Sequence, residues 1–338
     1  MRPIKVAEFF SGYGSQSNAL EAIGVPFEVV ATSEIDVDAI IAYGAMRYDL
    51  NEEIDKTDEE IKEFLMSKNI GFDFKKNKST IKKMKKDKLY KLYNATVLSN
   101  NLGDISLIKE IPKCDLFTYS FPCQDISTAG KQKGMIKGTR SGLLLEVERM
   151  LCNGFKPTIL LMENVKNLVS KKFIPDFQKW CNKLEELGYK NYWKVLNAKD
   201  FGVPQNRERI IMISVFGDYT YNFPKEIKLN KMLLSILEKD VDEKYFVNTN
   251  KAKELLPKID ERQNIGLIPD RLGGMFDDEN GIHQAGSVWN KYGISPTLDT
   301  CQGGYRQVCI VSDSQLYKLA GNSIVQQVLE EVFKNMFK

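Results

Sequence analysis

Short apolar runs alternate with stretches of helical period over residues 1–48 and again over residues 94–215. The runs that fit buried strands lie at residues 4–9, 27–31, 115–120, 158–162, 192–196 and 209–215. Between two of these runs, residues 143–151 place their apolar side chains on one helical face. Strands that alternate with helices are typical of a parallel sheet that is covered on both sides. The pattern predicts an α/β fold with a Rossmann-like, mostly parallel sheet and helices on both faces.

Two segments of the chain depart from this alternation of strand and helix patterns. Residues 49–93 are rich in lysine and glutamate, and they indicate either a helical insertion or an exposed excursion. Residues 216–295 hold clusters of Gly, Pro, Asn and Asp, and the Arg-Leu-Gly-Gly-Met-Phe sequence at 271–276 favours a turn. The apolar positions of residues 324–336 then return to a helical period. We expect a large domain built from residues 1–215 and 296–338, and a smaller, loop-rich domain at 216–295.

The composition is that of a folded protein. The 338 residues are 43% hydrophobic and 28% charged, which excludes a chain that is disordered over its whole length. At about 150 residues per domain, this length fits two domains with a large buried core. The first residues lack the apolar run of a signal peptide, and no segment approaches the roughly 20 apolar residues of a membrane span. We expect a cytoplasmic protein without a membrane partner.

Cysteine, histidine and lysine usage narrows the chemistry. The six cysteines form no Cys-x-x-Cys pair, which favours free thiols in a reducing compartment. The single histidine, His283, excludes a multi-histidine metal site, and we predict that the chain has no metal site. Between Lys75 and Lys91 there are nine lysines and one acid, Asp87. Such a run fits either a solvated face or a patch that faces phosphates.

A glycine-rich turn follows the first strand candidate. Phe10, Gly12 and Gly14 lie between that strand and a helix, and Glu34 follows the second strand candidate. Glycines let a backbone approach a ligand closely, and a carboxylate placed like Glu34 can accept hydrogen bonds from both hydroxyls of a ribose. Ser17 stands where a dinucleotide fingerprint has a third Gly or Ala. These residues therefore fit either a nucleotide-type cofactor or a tight structural turn.

Reactive side chains occur at the carboxyl ends of the next strand candidates, where open α/β sheets bind ligands. Cys123 follows one strand in the sequence Phe-Pro-Cys-Gln, and Glu163 lies at the end of the next. A lone cysteine after a strand is commonly part of a core, but the polar, glycine-rich residues 125–140 are typical of a mobile lid. A glutamate that shares a cleft with a thiol can have a raised pKa and donate a proton.

Three further groups complete the candidate sites. Asp104 fits either a helix cap or a partner for an adenine amino group. Arg207 and Arg209, two residues apart on an extended segment, can bind a carbonyl oxygen and a phosphate. The lid at 125–140 carries cations suited to phosphates, namely Lys131, Lys133, Lys137 and Arg140.

Five motifs occur in one order along the chain. They are Phe-x-Gly-x-Gly from residue 10, Pro-Cys-Gln at 122–124, Glu-Asn-Val at 163–165, Gln-x-Arg-x-Arg at 205–209 and Gly-Asn-Ser at 321–323. In this order and spacing they resemble the cytosine-C5 DNA methyltransferases. The resemblance covers residues 1–215 and about 290–338, and it leaves 49–93 and most of 216–290 uncovered. One departure is the short stretch at 307–319, where members of that family have additional helix.

The resemblance implies that the cofactor is S-adenosylmethionine. The residues implied to line it are Phe10, Gly12, Tyr13, Gly14, Glu34, Ile35, Asp104, Ile105, Pro122, Asn322 and Ser323. In this set Glu34 would hold the ribose and Asp104 the adenine, and Ile35 stands where the family often has an aromatic residue. The motif at 321–323 and the terminal helix would return to the cofactor side, which makes the large domain discontinuous.

The resemblance also implies that the substrate is a cytosine flipped out of double-stranded DNA. Cys123 would attack C6 of the base, which makes C5 able to take a methyl group. Glu163 would protonate or hydrogen-bond N3, Arg209 would bind O2, and Arg207 would support Cys123. The residues implied to contact DNA are Gln124, Ser127, Lys131, Arg140 and Arg271.

Two alternatives remain at this point. The first is a tRNA cytosine-C5 methyltransferase, because such enzymes share these motifs but lack an expanded recognition domain. The second is a non-catalytic, DNA-binding relative, which would be expected to have lost one of the reactive residues. The presence of residues 216–295 and of Cys123, Glu163 and both arginines favours a DNA methyltransferase. We expect it to be a monomer, with a cognate restriction endonuclease as partner where one exists.

Overall fold

The computed structural model of this chain describes residues 2–74, 76–122, 141–237, 250–255, 257–258, 262, 266–274, 277, 281, 286–298 and 324–337. The helices in these residues are α1 (Ser15–Ala22), α2 (Val37–Ala45), α3 (Asp58–Ser67), α4 (Lys86–Leu98), α5 (Leu144–Cys152), α6 (Ile174–Glu186), α7 (Asn250–Leu255) and α8 (Gln326–Phe337). The strands are β1 (Ile4–Phe9), β2 (Phe27–Ser33), β3 (Phe72–Asp73), β4 (Lys78–Ser79), β5 (Leu116–Tyr119), β6 (Ile159–Val165), β7 (Tyr189–Asn197), β8 (Glu208–Phe216), β9 (Arg271–Gly274) and β10 (Ser287–Trp289).

Six of these strands form one sheet in the order β2-β1-β5-β6-β8-β7. β1 pairs in parallel with β2 and with β5, and β5 pairs in parallel with β6. The pairing of β6 with β8 is antiparallel. Every residue of β5 is buried, which requires that both faces of the sheet are covered at its centre. The predicted α/β fold with a mostly parallel sheet is confirmed.

The helices α5 and α6 cover the sheet through one apolar face each. In α6, Pro175 lies in the first turn, where a missing amide costs nothing, and Phe177, Trp180 and Leu184 follow at the spacing of a buried stripe. The indole nitrogen of Trp180 donates to the hydroxyl of Tyr119 in β5 at 3.1 Å. The buried residues of α5 are Leu144, Val147, Met150 and Leu151. The helical face predicted at 143–151 is therefore the face that packs on the core.

Residues 49–93 form a packed part of the fold. Thr57 and Glu60 form a capping box that starts α3, since each side chain accepts from the backbone amide of the other residue. The short hairpin of β3 and β4 follows, and then α4. Buried apolar residues of this segment share a core with Ile40 of α2, and they include Leu50, Ile61, Leu65, Ile70, Ile81, Leu89 and Leu92. The segment therefore contains two packed helices, as the helical alternative predicted, and its status as an insertion stays a prediction.

The chain divides into two compact units. The first comprises Met1–Val195, Arg209–Pro224 and Leu329–Lys338, and the second comprises Leu196–Glu208 and Lys225–Val328. In the first unit, the Tyr221 hydroxyl donates to the carbonyl of Val332 in α8 at 3.1 Å. None of the helices in the described part of the chain has the length and apolar character needed to cross a membrane. The assignment of functions to 1–215 with 296–338 and to 216–295 stays a prediction.

The second unit contains an antiparallel strand pair where the sequence favoured a turn. Arg271–Gly274 form β9, which pairs with β10 so that Arg271 lies opposite Trp289. The expectation of a turn is wrong for these four residues. A Cβ at Gly273 would lie 2.7 Å from the Leu255 side chain. The glycine therefore allows α7 to approach a strand rather than allowing the chain to reverse.

Candidate active site

The glycine loop between β1 and α1 lies at the carboxyl end of the parallel strands. Its main chain has positive φ at Phe10, Gly12 and Gly14, of 55°, 55° and 84°. The Phe10 amide donates to the Ser33 carbonyl at 2.7 Å, which ties the loop to the end of β2. A Cβ at Gly14 would lie 2.6 Å from the Tyr43 ring, whereas a Cβ at Gly12 would meet no described atom within 4 Å. The loop is therefore closely packed at Gly14 and open at Gly12, where a ligand could approach the backbone.

The carboxylate of Glu34 faces the glycine loop. Its Oε2 accepts from the Gly12 amide at 3.1 Å, and its Oε1 accepts from the Ile35 and Asp36 amides at 2.7 and 2.9 Å. Burial raises the pKa of this carboxyl above its usual value, although the three amides oppose the shift. Carboxylate oxygens have several acceptor sites, so the group can also accept from hydroxyls. The structure thus brings together Gly12, Glu34 and Ile35.

Asn101 links Glu34 to the segment that carries Asp104, and sequence analysis missed it. Its side-chain amide donates to the Glu34 carbonyl at 3.1 Å. Its Oδ1 accepts from the amides of Glu34 and Gly103 at 3.1 and 2.9 Å. The residue is buried and 67 positions from its partner, so no local pattern could have identified it.

Asp104 has the capping role that the sequence allowed. Its Oδ1 accepts from the Ser106 amide at 2.9 Å and starts the 3₁₀ turn at Ile105. Its Oδ2 accepts from the side chain of Asn69 at 2.9 Å. The bonds to Ser106 and Asn69 fix the position of the carboxylate, and the bond to an adenine stays a prediction.

A second group of residues that sequence analysis missed, Arg47, Tyr43 and Glu8, lies next to the glycine loop. Arg47 donates to the carbonyls of Tyr13 and Gly14 at 3.3 and 2.9 Å. Tyr43 donates from its hydroxyl to Glu8 at 2.7 Å. Glu8 offered one signal, because it is a charged residue in the middle of a strand whose neighbours are apolar. A charged side chain at a buried position indicates hydrogen-bond partners, because burial without them costs free energy.

The buried Glu163 and the half-buried Arg209 form an ion pair at the other candidate site. Tyr119 of β5 lies opposite Met162, so Glu163 is one residue beyond that pairing. In the antiparallel register of β6 and β8, Arg209 lies opposite Val165, on the same face as Glu163. The Arg209 Nε is 3.1 Å from the Glu163 Oε1, and the side chains are 18% and 8% exposed. The structure brings together two of the four predicted catalytic residues.

The backbone that leads to Cys123 is held by Asn164, which belongs to the Glu-Asn-Val motif but was given no role of its own in the sequence analysis. Its side-chain amide donates to the Phe121 carbonyl at 3.1 Å, and its Oδ1 accepts from the Val165 amide at 2.8 Å. Pro122, the next residue, is half-buried. The predicted residues that lie outside the described part of the chain are Cys123, Gln124, Ser127, Lys131, Arg140, Asn322 and Ser323.

The remaining two predicted arginines are in the second unit. Arg207 is buried and donates to the Leu298 carbonyl at 3.3 Å. Arg271 binds both carboxylate oxygens of Asp277 at 2.7 and 2.8 Å, and its Nε donates to the Ser287 hydroxyl at 3.0 Å. The guanidinium of Arg271 would have to leave Asp277 in order to contact a base. The roles of both arginines stay predictions.

The described cysteines are Cys114, Cys152 and Cys181, and all three are free thiols. Burial raises the pKa of Cys114 to about 12 and that of Cys181 to about 11. Both thiols therefore stay protonated near neutral pH and are poor nucleophiles. Within the described ranges, no group of three or more His, Cys, Asp or Glu side chains could hold a metal ion.

The chain is similar to known methyltransferases in sequence and in structure. The family model described as C-5 cytosine-specific DNA methylase matches residues 65–310. The chain is 38% identical to the Type II methyltransferase M2.ScrFI of Lactococcus lactis subsp. cremoris, over 99% of both chains. It is 36% identical to the Orphan methyltransferase M.SssI of Spiroplasma monobiae, over 94% of this chain and 84% of that one.

Solved structures share the fold at low sequence identity. The Entamoeba histolytica methyltransferase EhMeth has a TM-score of 0.58 at 15% identity, and covers 100% of this chain and 98% of its own. The S. pombe Dnmt2 methyltransferase has a TM-score of 0.56 at 15% identity, with coverages of 98% and 97%. At this level of identity the likeness shows the fold alone, and it places the chain among proteins with the α/β fold of methyltransferases.

The sequence comparisons then give the family. The family model spans most of the chain, and relatives at 38% and 36% identity extend along nearly all of it. The chain belongs to the C-5 cytosine-specific DNA methylase family. The predicted enzyme class, a DNA cytosine-C5 methyltransferase, is confirmed.

Proposed function

We propose that this chain transfers a methyl group from S-adenosylmethionine to C5 of a cytosine flipped out of double-stranded DNA. The observation that carries the proposal is the ion pair of the buried Glu163 and the half-buried Arg209, 3.1 Å apart, beside the backbone that Asn164 holds. A cytosine undergoing attack needs a hydrogen-bond or proton donor at N3 and a cation at O2. Glu163 and Arg209 supply these groups, and Cys123 follows directly on the held backbone in the sequence.

The residues around the glycine loop fit the proposed cofactor. The open space at Gly12 admits a ligand to the backbone, and the Glu34 carboxylate can accept from the hydroxyls of a ribose. Asp104 follows Gly103, whose amide Asn101 ties to Glu34, and its carboxylate is suited to accept from an adenine amino group. When bound, S-adenosylmethionine supplies an electrophilic methyl group on a sulfonium sulfur. The residues proposed to line it remain those named from the resemblance.

The chemistry needs a thiolate because C5 of cytosine is a poor nucleophile. In the proposed reaction Glu163 first takes up a proton from water, and Arg209 binds O2 of the base. The Cys123 thiolate then forms a bond to C6 while the Glu163 carboxyl donates its proton to N3, so that electron density builds at C5. C5 would then take the methyl group as its bond to the sulfonium sulfur breaks, which leaves a thioether. A base, water or hydroxide, removes the C5 proton, the bond between the Cys123 sulfur and C6 breaks to return the thiolate, and N3 returns its proton to Glu163. The base must leave the duplex first, because C6 is out of reach in the stack.

We assign the choice of DNA sequence to residues 216–295. Base edges are read by side chains that project into a groove, and a separate unit can supply them without disturbing the chemistry. Arg271 is the candidate reader, although its guanidinium is held by Asp277 at 2.7 Å. Exchange of 216–295 for the same segment of a relative with another target should transfer that relative's site choice. A chimera that methylates the original sites would remove this assignment.

The alternative of a tRNA substrate rests on the motifs that this chain has in common with tRNA cytosine-C5 methyltransferases. Tritium transfer from labelled S-adenosylmethionine to duplex DNA and to tRNA separates the two substrates. We expect label in DNA with the wild-type chain and with the control variant Cys152→Ser, which changes an exposed thiol. Label in tRNA alone would favour the RNA enzyme, and no label in either would favour the non-catalytic relative.

We propose further that the chain is a cytoplasmic monomer and protects DNA from a cognate restriction endonuclease where one exists. One relative is named a Type II methyltransferase and another an Orphan methyltransferase. Bisulfite sequencing of DNA from cells that express the chain should reveal the methylated sequence. Endonucleases that cut this sequence can then be tested for blocked cleavage.

A further inference from the structure

Helix α1 is capped by a buried carboxylate from the sheet. Its N-cap residue, Gly14, offers no side chain, and Glu8 of β1 replaces the missing acceptor. The Glu8 Oε1 accepts from the Ser17 amide at 2.8 Å, and the Glu8 side chain is fully buried. A negative charge is favourable at a helix N-terminus. The position that holds a phosphate in dinucleotide-binding folds is therefore already occupied by a protein carboxylate.

Tyr43 of α2 completes the partners of Glu8. Its hydroxyl donates to the Glu8 Oε2 at 2.7 Å and lies 3.3 Å from the Ser17 Oγ. Burial, followed by the charge of Glu8, raises the pKa of Tyr43 well above its usual value, so the hydroxyl keeps its proton. Ser17, which departs from the dinucleotide fingerprint, is thus a member of a buried hydrogen-bond network.

Arg47 extends this network to the glycine loop. Its guanidinium stacks 4.0 Å over the Tyr43 ring, four residues earlier on α2. It donates to the carbonyls of Tyr13 and Gly14 at 3.3 and 2.9 Å, and also to the side chain of Asn18. Because a peptide unit is planar, a fixed carbonyl also fixes the direction of the next amide. Arg47 therefore sets the direction of two peptide planes in the loop.

We infer that Glu8, Tyr43 and Arg47 are positioning residues that hold the glycine loop in the shape that accepts the cofactor. The inference rests on the proposed use of S-adenosylmethionine. A loop held in its bound shape does not have to be ordered when the ligand arrives, so its support acts on affinity. Loss of Arg47 lets two peptide planes rotate. The effect appears in cofactor binding and not in turnover once the cofactor saturates the enzyme.

Two variants and a matched control test this inference. Arg47→Met removes the contacts to the loop, and Tyr43→Phe removes one hydroxyl. The control, Tyr90→Phe, removes a hydroxyl that donates to Asp58 at 3.0 Å in the same compact unit. Calorimetric titration with S-adenosylmethionine measures affinity, and amide hydrogen exchange over residues 10–18 measures the order of the loop without any cofactor.

We expect Arg47→Met to raise the Kd for S-adenosylmethionine about tenfold or more, the scale for hydrogen bonds to a charged group. Exchange at Gly14 and Ser15 should become faster, and kcat at saturating cofactor should stay within about twofold. Tyr43→Phe should raise the Kd about threefold and Arg47→Lys should restore part of the loss. Tyr90→Phe should leave both the Kd and the loop exchange unchanged.

Two results would overturn the inference. Faster loop exchange in Arg47→Met with an unchanged Kd would show that the network is structural only. Unchanged exchange would show that Arg47 does not hold the loop. If Arg47→Met does not fold, Tyr43→Phe and Arg47→Lys decide the question by the same two readouts. A wild-type chain that binds no S-adenosylmethionine would refute the proposed function instead, and loop exchange would still test the hold of Arg47.

Discussion

The two candidate sites on this sheet are built in different ways. Around the glycine loop most partners are main-chain groups, as in the bonds from the Gly12 amide to Glu34 and from Arg47 to the Gly14 carbonyl. At the ends of β6 and β8 the site is a pair of side chains, Glu163 and Arg209, aligned by the antiparallel register. The main-chain contacts determine the conformation of the glycine loop, whereas the pair of Glu163 and Arg209 places two charged groups at the strand ends.

This difference determines how each site should respond to mutation. The glycine loop is held by many contacts, so the removal of one contact should remove only part of the cofactor affinity. At the strand ends each charged group comes from one residue, so the removal of Glu163 or Arg209 should remove that group entirely and most of the turnover with it. Changes at the glycine loop should therefore act mainly on cofactor affinity, and changes at the strand ends should act mainly on kcat.

The largest effect is expected from Cys123→Ser. A serine hydroxyl is far less ionised than a thiol, so turnover should fall by roughly a thousandfold or more. The affinities for DNA and S-adenosylmethionine should change little, because the side chains have similar size. Tritium transfer measures turnover, and Cys152→Ser is the control. A variant that retains a tenth of the wild-type rate would exclude Cys123 as the nucleophile.

Glu163→Gln should lower kcat by roughly a hundredfold or more, since a proton donor contributes on that scale. The Kd for S-adenosylmethionine should stay unchanged in Glu163→Gln, in contrast to the variants of the glycine loop.

Arg209→Ala should destabilise the fold by about 3 kcal/mol, because it removes the cation that is paired with the buried Glu163 carboxylate. Single-turnover kinetics and denaturant unfolding measure the two effects. Equal losses of kcat and cofactor affinity in Glu163→Gln would remove the contrast.

Glu34→Ala should weaken S-adenosylmethionine binding by roughly 1–3 kcal/mol, the range for hydrogen bonds to a charged group. Asp104→Ala should weaken it less, because that carboxylate is also occupied as a cap. Calorimetric titration measures both. Unchanged affinity in both variants would remove these residues from the cofactor site.

The pH dependence of the same carboxyl gives a separate check. Because burial raises the pKa of Glu34, the carboxylate is protonated at a higher pH than an exposed glutamate as the solution is acidified. Cofactor affinity should fall as the carboxylate becomes protonated, and Glu34→Gln should make this fall smaller.

The stability of the fold should change with pH in the opposite direction. A carboxyl whose pKa is raised by folding stabilises the fold at low pH, and this stabilisation is lost as the pH rises through the raised pKa. Wild-type stability should therefore fall relative to Glu34→Gln as pH rises. A parallel pH course in both proteins would contradict this.

The smallest effect is expected from the lysine run. Lys78, Lys82 and Lys83 border a cavity of about 480 Å³ together with Phe72. If this run is a solvated face, changing Lys82 and Lys83 to Gln should leave the Kd for duplex DNA and its salt dependence unchanged. If it faces phosphates, each lost contact should weaken all DNA sequences alike and lower the salt slope by about 0.9. Binding titrations between low and moderate salt distinguish the two.

Local patterns in the sequence predicted the elements, and contacts between distant residues explain what they missed. β1 starts and ends at the predicted residues, and Glu34 lies at the end of β2 as expected, because strand periodicity is a local property. Asn101 and Arg47 could not be found in this way, since their partners are 67 and 33 residues away. The helices of residues 49–93 were partly hidden because lysine and glutamate surround their few buried positions.

The most direct test uses a duplex in which 5-fluorocytosine replaces cytosine. Fluorine at C5 cannot leave as a proton does, so the final step is blocked and the covalent complex should accumulate. With S-adenosylmethionine present, we predict a stable adduct that peptide mapping places on Cys123, and none with Cys123→Ser. The absence of an adduct with the wild-type chain, or an adduct on the exposed Cys152, would contradict the account.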